Sequence, residues 1–374
     1  MSSIPPVEVC KEPDLIDGWW TLDNLFALER RAIFSKSWIC IAHSSRFTKA
    51  GDYISFEFAG FPILIILGKD NIVRAFHNVC RHRAYTITKK PTGSSLILGC
   101  RYHGWSYNTK GHLVKAPQFD GIEGFDKSEN GLFRIHSCND RSGFIHINLN
   151  ASRIDDAPAY EGTGVFSSQH GIYASNKWLT GWEINGGAFN WKTIGASERN
   201  GTQMAPARSH VIGFVMSAFS HTGIDFHKCQ TLHVGPTAII VSSRGYPIWV
   251  MITVLPASAT HCTMKCDVYT SDASIPEVTS SDNDAIRNYC SRFVQSIEQQ
   301  YDLIKSTNSP QQRPLLSLLK EHLRLERLAG RKLYPARKED TQSQSFCKAE
   351  QLCNELNEKA KLARVDSADA ILDW

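Results

Sequence analysis

Two short stretches carry the residue types best suited to chemistry: Cys80-Arg81-His82 and Cys100-Arg101-Tyr102-His103. Each offers one thiolate and one imidazole. A [2Fe–2S] centre with mixed ligation needs two thiolates on one iron and two imidazoles on the other, so each half-motif must supply one of each. Zinc also accepts two cysteines and two histidines. Zinc fingers, however, pair cysteine with cysteine and histidine with histidine, and place the latter on a helix. Here the types are interleaved and the surroundings read as β-strand. Four unrelated buried residues would have to coincide in type, order and spacing. Cys80, His82, Cys100 and His103 are therefore read as the cofactor- and metal-binding residues.

Such ligands need rigid elements to hold them. From about Ser37 to Asn150 short β-rich runs alternate with turns: Tyr53–Phe58, Pro62–Leu67, Ile72–His77 and Gly143–Leu149, with turn signals at Lys69-Asp70, Pro91-Thr92-Gly93 and Asn108-Thr109-Lys110-Gly111. This density predicts a small antiparallel β domain. Each half-motif follows a strand, Ile72–His77 or Ser95–Gly99, so two short loops can close on a cluster from opposite sides. Ala151–Gly164 reads as a linker. Beyond it, strands are predicted at Ala238–Ser243, Ile248–Leu255 and His261–Tyr269. A helix is predicted from about Asp282 to Asn308, with Ile286, Tyr289, Phe293, Val294, Ile297, Tyr301 and Ile304 at helical spacing and Ser281 and Asp284 at its start. Another helix is predicted near Lys348–Ala363, while the stretch after Pro310, including Cys347 and Cys353, shows no interpretable pattern.

The chain has 374 residues, 42% hydrophobic and 21% charged, with a formal net charge of +4, which fits two ordinary globular domains. The charge is too small to argue for nucleic acid, and no basic helix argues for a membrane surface. No stretch approaches the roughly 20 apolar residues a membrane span requires. The N-terminus lacks the layout of a secretory signal. Eleven scattered cysteines do not form a disulfide framework, so a cytoplasmic protein with reduced thiols is expected.

Phe76-His77-Asn78-Val79-Cys80-Arg81-His82-Arg83 and Gly99-Cys100-Arg101-Tyr102-His103-Gly104-Trp105-Ser106-Tyr107 closely resemble the two cluster loops of Rieske non-heme iron oxygenases. The likeness to these aromatic-ring-hydroxylating-dioxygenase-like alpha subunits runs from about Trp38 to Asn150 and continues more weakly to the C-terminus. It is nearest to the choline-monooxygenase-like branch. The resemblance implies an α+β chain in three parts: an N-terminal helical or extended segment (1–36), an antiparallel β Rieske [2Fe–2S] domain (37–155), and an α+β catalytic-type domain (156–374) with a helix-grip-like antiparallel sheet and C-terminal helices. Respiratory Rieske proteins add a cysteine in each loop and bridge them with a disulfide. The corresponding positions here hold Tyr85 and Tyr102. A hydroxyl donor to the cluster sulfur after the His-Gly pair is replaced by Trp105, which favours a lower reduction potential.

The family's catalytic domain holds one iron in a 2-His-1-carboxylate triad. Its motif starts from Asn-Trp-Lys, present as Asn190-Trp191-Lys192. Counting onward, the bridging acid falls on Asn200 and the two histidines on Gln203 and Arg208. The final aspartate falls on Gln300, and the usual Glu-Asn pair is Ala196-Ser197. One extra residue moves the histidine positions to Met204 and Ser209, no better. Asp302 or Glu298 would sit about 200° around the helix from position 300. Neutral amides are poor substitutes for these ligands, and arginine cannot donate to a metal. A displaced triad would have to come from His210, Glu198, His221, His227 or His233. The expectation is one [2Fe–2S] cluster per chain and no mononuclear Fe(II) of its own.

Family members resemble one another in forming rings of three chains, with the cluster of one beside the iron of the next. The resemblance thus implies a trimeric or hetero-oligomeric ring with a catalytically competent paralogous subunit. This chain would relay electrons from an NAD(P)H-dependent reductase or a ferredoxin, for hydroxylation or demethylation of a small organic substrate. Arg81, Arg83 and Arg101 are read as surface charges for an acidic redox partner or for a carboxylate across the subunit boundary. Two alternatives stay open: a self-sufficient monooxygenase with unconventional iron ligands, and a non-catalytic stabilising subunit.

Overall fold

Phe61–Leu67 carries apolar residues at both odd and even positions, so as a strand it needs cover on both faces. In the computed structural model it has that cover, and Ile63, Leu64, Ile65 and Ile66 are fully buried. The structure describes residues 16–119, 122, 124–158, 162–196, 229–245, 247–275, 291, 294–306 and 313–337. The chain is α+β. It divides into two compact units, one from Met1–Cys40 and Tyr160–Tyr334, the other from Ile41–Ala159 and Pro335–Trp374.

The second unit is antiparallel β. Its strands begin with β1 (Ile39–His43), β2 (Asp52–Phe58), β3 (Phe61–Leu67), β4 (Val73–His77) and β5 (Thr92–Ser94). Then come β6 (Ile97–Gly99), β7 (Ser106–Asn108), β8 (Leu113–Lys115), β9 (Arg134–Asn139) and β10 (Phe144–Asn148). Seven form one sheet in the order β1-β10-β9-β4-β3-β2-β5, and β6-β7-β8 form a second, smaller sheet. Phe58 pairs with Phe61 across Ala59 and Gly60. Both turn residues have positive φ, 49° and 76°, the two-residue geometry that follows the twist of the strands. Leu64, Phe76, Leu98, Trp105, Tyr107 and Leu113 share one buried apolar core, and Cys80 and Cys100 lie inside it.

The first unit is built on a five-stranded sheet of order β11-β15-β14-β13-β12, from β11 (Lys177–Gly187), β12 (Cys229–Val234), β13 (Ala238–Ser243), β14 (Ile248–Pro256) and β15 (Cys262–Thr270). The three strands predicted in this half match β13, β14 and β15 to within a residue at each end. The helices are α1 (Asp23–Glu29), which continues as a π-helical turn over Arg30–Phe34, α2 (Thr163–His170), α3 (Thr193–Ala196), α4 (residues 294–304) and α5 (Arg313–Ala329). On α4 the predicted apolar positions Val294, Ile297 and Tyr301 are buried. The predicted start of that helix, Ser281 to Tyr289, and the helix at Lys348–Ala363 lie outside the described residues.

The stretch after Pro310 contains α5, a helix the sequence pattern did not disclose. Its buried stripe runs Leu316, Leu319, His322, Glu326, and the two polar members break the apolar period. They are buried because they have partners: Arg31 donates to Glu326 through Nε at 2.7 Å and a terminal nitrogen at 3.2 Å, and His322 Nε2 lies 3.3 Å from the same carboxylate. Asn190-Trp191-Lys192 is also tied to the N-terminal segment. Glu29 accepts from the Lys192 ammonium and, at 2.7 Å, from the Trp191 indole, and both charges are buried. Lys192 lies 4.8 Å from the Trp19 ring and 5.7 Å from the Trp20 ring. Burial holds the Lys192 pKa below the usual ammonium range despite Glu29. Residues 19–31 thus pack as part of the sheet-bearing unit, because their charges and tryptophans complete its core.

Candidate metal centre

The two cluster loops are conformational copies. In the first, Cys80 N–H donates to Tyr85 O at 2.8 Å and Ala84 N–H to Cys80 O at 2.9 Å. In the second, Cys100 N–H donates to Trp105 O at 2.7 Å and Gly104 N–H to Cys100 O at 3.0 Å. The fifth residue of each loop has positive φ, 51° at Ala84 and 72° at Gly104. The loops leave from β4 and β6. Asn78 pins the first at both ends: its Nδ2 donates to Ser55 Oγ at 3.0 Å and Thr88 O at 2.8 Å, and its Oδ1 accepts from Thr88 N–H at 3.1 Å.

This frame brings together all four residues expected to bind the cluster. Cys80 and Cys100 are 3% and 4% exposed, and Cys100 lies close enough to raise the pKa of the Cys80 thiol. The rings of His82 and His103 stand 4.6 Å apart at 68°. His82 is buried, stacked on Trp105 at 5.2 Å and 9° and met edge-on by Phe119, while His103 is partly exposed. The donors thus fall as a thiol pair and an imidazole pair. Among the described residues no three His, Cys, Asp or Glu side chains gather around a single-ion point.

The residues fit the group. Both ring nitrogens of His82 and Nδ1 of His103 are buried without a hydrogen-bond partner, a costly state that metal ligation relieves. Burial, then His103 and Arg83, lowers the His82 pKa to about 4, and burial and Arg83 lower that of His103, so both imidazoles are neutral and able to ligate. Burial pushes the Cys80 thiol up, a penalty that a bound metal cation reverses.

Sequence reasoning missed Tyr107. Its oxygen takes the Arg81 N–H at 3.1 Å and lies 3.2 Å from Cys80 Sγ. A ligating thiolate has no proton, so the tyrosine is the donor. Burial, with Cys80 beside it, raises the Tyr107 pKa and keeps that proton in place. Trp105 removes one hydroxyl donor, and Tyr107 supplies another. Its signal was present in the Gly104-Trp105-Ser106-Tyr107 run, but its reach to Cys80 depends on β7 pairing with β6, Leu98 opposite Tyr107.

Of the arginines read as surface charges, only Arg101 is exposed. Arg81 and Arg83 are half-buried, and the Arg81 guanidinium lies 3.8 Å over the Phe133 ring, because the apolar flank of the loop draws it in.

Asn200, Gln203 and Arg208 lie outside the described residues, as do Ser197, Met204, Ser209, Glu198, His210, His221 and His227. Gln300 is half-buried on α4. The carboxylates flanking it are engaged elsewhere: Glu298 accepts from Ala188 N–H at 2.7 Å, and Asp302, exposed, pairs with Lys305 at 2.6 Å. His233 is a strand residue of β12 opposite Ile239.

Residues 37–126 match the family model of the Rieske [2Fe-2S] domain. The carnitine monooxygenase oxygenase subunit of Acinetobacter baumannii is 36% identical over 159 residues, 40% of this chain and 42% of that protein. The benzene 1,2-dioxygenase subunit alpha of Pseudomonas putida is 30% identical over 152 residues, 40% of this chain and 33% of that protein. The chain therefore aligns with less than half the length of these curated relatives. Residues 37–126 thus match a Rieske [2Fe-2S] domain, and over this part the chain is similar to the oxygenase subunits of Rieske oxygenases. The fold is shared more widely. The quaternary ammonium Rieske monooxygenase CntA with L-carnitine matches at TM-score 0.62 and 23% identity, over 78% of this chain and 86% of that one. A second structure of a quaternary ammonium Rieske monooxygenase, described for carnitine oxidation and inter-subunit electron transfer, matches at 0.59 and 21%, over 80% and 86%.

Proposed function

We propose that this chain is the electron-relay component of a heteromeric Rieske oxygenase, with a [2Fe–2S] cluster held by Cys80, His82, Cys100 and His103. When bound, the cluster takes up and gives off one electron at a time. The cysteine end is sealed in the core. The partly exposed His103 ring, with Arg101 near it in sequence, forms the edge where a reductase or ferredoxin docks and where a neighbouring subunit receives the electron. Arg81, half-buried over the Phe133 ring, packs on the flank of the loop, while burial, with Arg83 beside them, keeps the imidazoles neutral.

What carries the relay reading is the contrast between two donor sets. The cluster set is complete, whereas the positions for a mononuclear iron hold Asn200, Gln203, Arg208 and Gln300, and the carboxylates beside Gln300 are committed to other partners. Oxygen activation on a small organic substrate then falls to a paralogous subunit, in a trimeric or mixed ring. The Rieske domain is taken to extend over 37–155 and the catalytic-type domain over 156–374, in a protein of the cytoplasm. Among the described residues no helix is long and apolar enough to cross a membrane.

The test is turnover by the reconstituted complex with single-chain variants. His103→Ala is expected to abolish substrate hydroxylation, and Arg208→Ala to leave it within about twofold, since a residue outside any working iron site costs little. Turnover that survives His103→Ala would rule out the relay. The self-sufficient reading, favoured by a fold match that spans 78% of the chain, predicts turnover by this chain and its reductase alone.

A further inference from the structure

The two copied loops are each closed by their own pair of backbone hydrogen bonds, so something must also hold one against the other. On the buried side Tyr107 does so, reaching from β7 to Cys80 and Arg81. On the solvent side the loops meet through Tyr85 and Tyr102, whose rings lie 5.4 Å apart at 31°. The Tyr102 ring also lies 4.0 Å from the His103 ring, and Lys89 Nζ stands 5.5 Å over Tyr85. Tyr102 is 54% exposed, so fold stability does not explain its placement. These are the two positions that respiratory Rieske proteins fill with bridged cysteines.

We propose that Tyr85 and Tyr102 form a non-covalent staple that joins the cluster loops and fixes the His103 ring, slowing loss of the cluster. His82 is held by burial and by its stack on Trp105. His103 is only partly buried, and beside it the Tyr102 ring, 4.0 Å away, is what restrains it from the solvent side. Tyr102 is a positioning residue acting through His103. Tyr85 completes the contact from the other loop, so removing either ring undoes the same restraint. The inference requires the cluster but not the relay function, and an iron assay separates the two.

The experiment uses the full-length holoprotein under anaerobic conditions, with excess iron chelator and loss of the cluster's visible absorption as readout. Tyr102→Ala and Tyr85→Ala are each expected to speed loss about three- to tenfold, the range of one aromatic contact. The double variant should be no faster than the quicker single one, because the two rings act as a pair. Tyr102→Phe and Tyr85→Phe should stay near wild type, since the ring and not the hydroxyl does the holding. EPR of reduced Tyr102→Ala should show broadened g-values that Tyr102→Phe restores. If Tyr102→Ala does not yield holoprotein, Tyr102→Leu is measured instead and should behave as expected for alanine. Wild-type release rates in the alanine or leucine variants would overturn the proposal. So would a double variant whose acceleration is the product of the two singles.

Discussion

Tyr107 combines two contacts that no spacing rule anticipates: it accepts from Arg81 N–H at 3.1 Å and donates toward Cys80 Sγ at 3.2 Å. A hydrogen bond to a ligand sulfur stabilises the reduced, more negative cluster and raises its potential. Tyr107→Phe keeps the ring in its core and deletes that donor. The reduction potential, measured by EPR-monitored titration, is expected to fall by about 40–60 mV, the one-electron equivalent of roughly 1 kcal/mol. An unchanged potential would mean the hydroxyl does not reach the sulfur in the holoprotein. At this scale the ligand types were legible, because a thiolate–imidazole pair in each half-motif has few other uses. Tyr107 was not, because strand pairing places it.

The loop pair is an element-scale device, and its fifth position shows how far sequence reaches. Gly104 at φ 72° satisfies a left-handed backbone without strain, whereas Ala84 adopts φ 51° with a side chain. A Cβ at Gly104 would also stand 3.3 Å from Pro117. Gly104→Ala is therefore expected to destabilise the protein by about 1–2 kcal/mol, and Ala84→Gly to be neutral or stabilising by up to about 1 kcal/mol, read from urea unfolding midpoints. The equivalence of the loops was hidden because one reads Arg-Ala-Tyr and the other His-Gly-Trp at the closing turn. Strands β13 and β14 were legible from their apolar runs, and β15 from apolar residues at alternate positions, Cys262, Met264, Cys266 and Val268. Helix α5 was not, since His322 and Glu326 sit inside its buried stripe and only Arg31, far away in sequence, explains why.

For the molecule as a whole, the two units draw their stability from different buried polar devices. In the Rieske-bearing unit His43 is buried, with Nε2 2.9 Å from Ser142 O, and burial lowers its pKa to about 4 from an ordinary 6.5. The neutral ring is favoured in the folded state, so the contribution is complete above the ordinary value and is lost as pH falls toward the folded value. About 2 kcal/mol should disappear between roughly pH 7.5 and pH 5. His43→Gln should flatten that part of the profile, measured as the difference in urea midpoint from wild type. In the other unit the buried Glu29–Lys192 pair joins the N-terminal segment to Asn190-Trp191-Lys192. The Asn-Trp-Lys run was legible as an anchor, but its partner 163 positions earlier was not, because a buried ion pair leaves no periodic trace.

The proposed relay requires a chain that binds a complete cluster and no mononuclear iron of its own. Iron and acid-labile sulfide per chain, measured on anaerobically purified protein with EPR of the dithionite-reduced form, test it most directly. The account predicts about two irons and two sulfides per chain with a Rieske signal. A third iron, bound without added sulfide, would contradict the reading of Asn200, Gln203, Arg208 and Gln300 and make this chain an oxygenase in its own right.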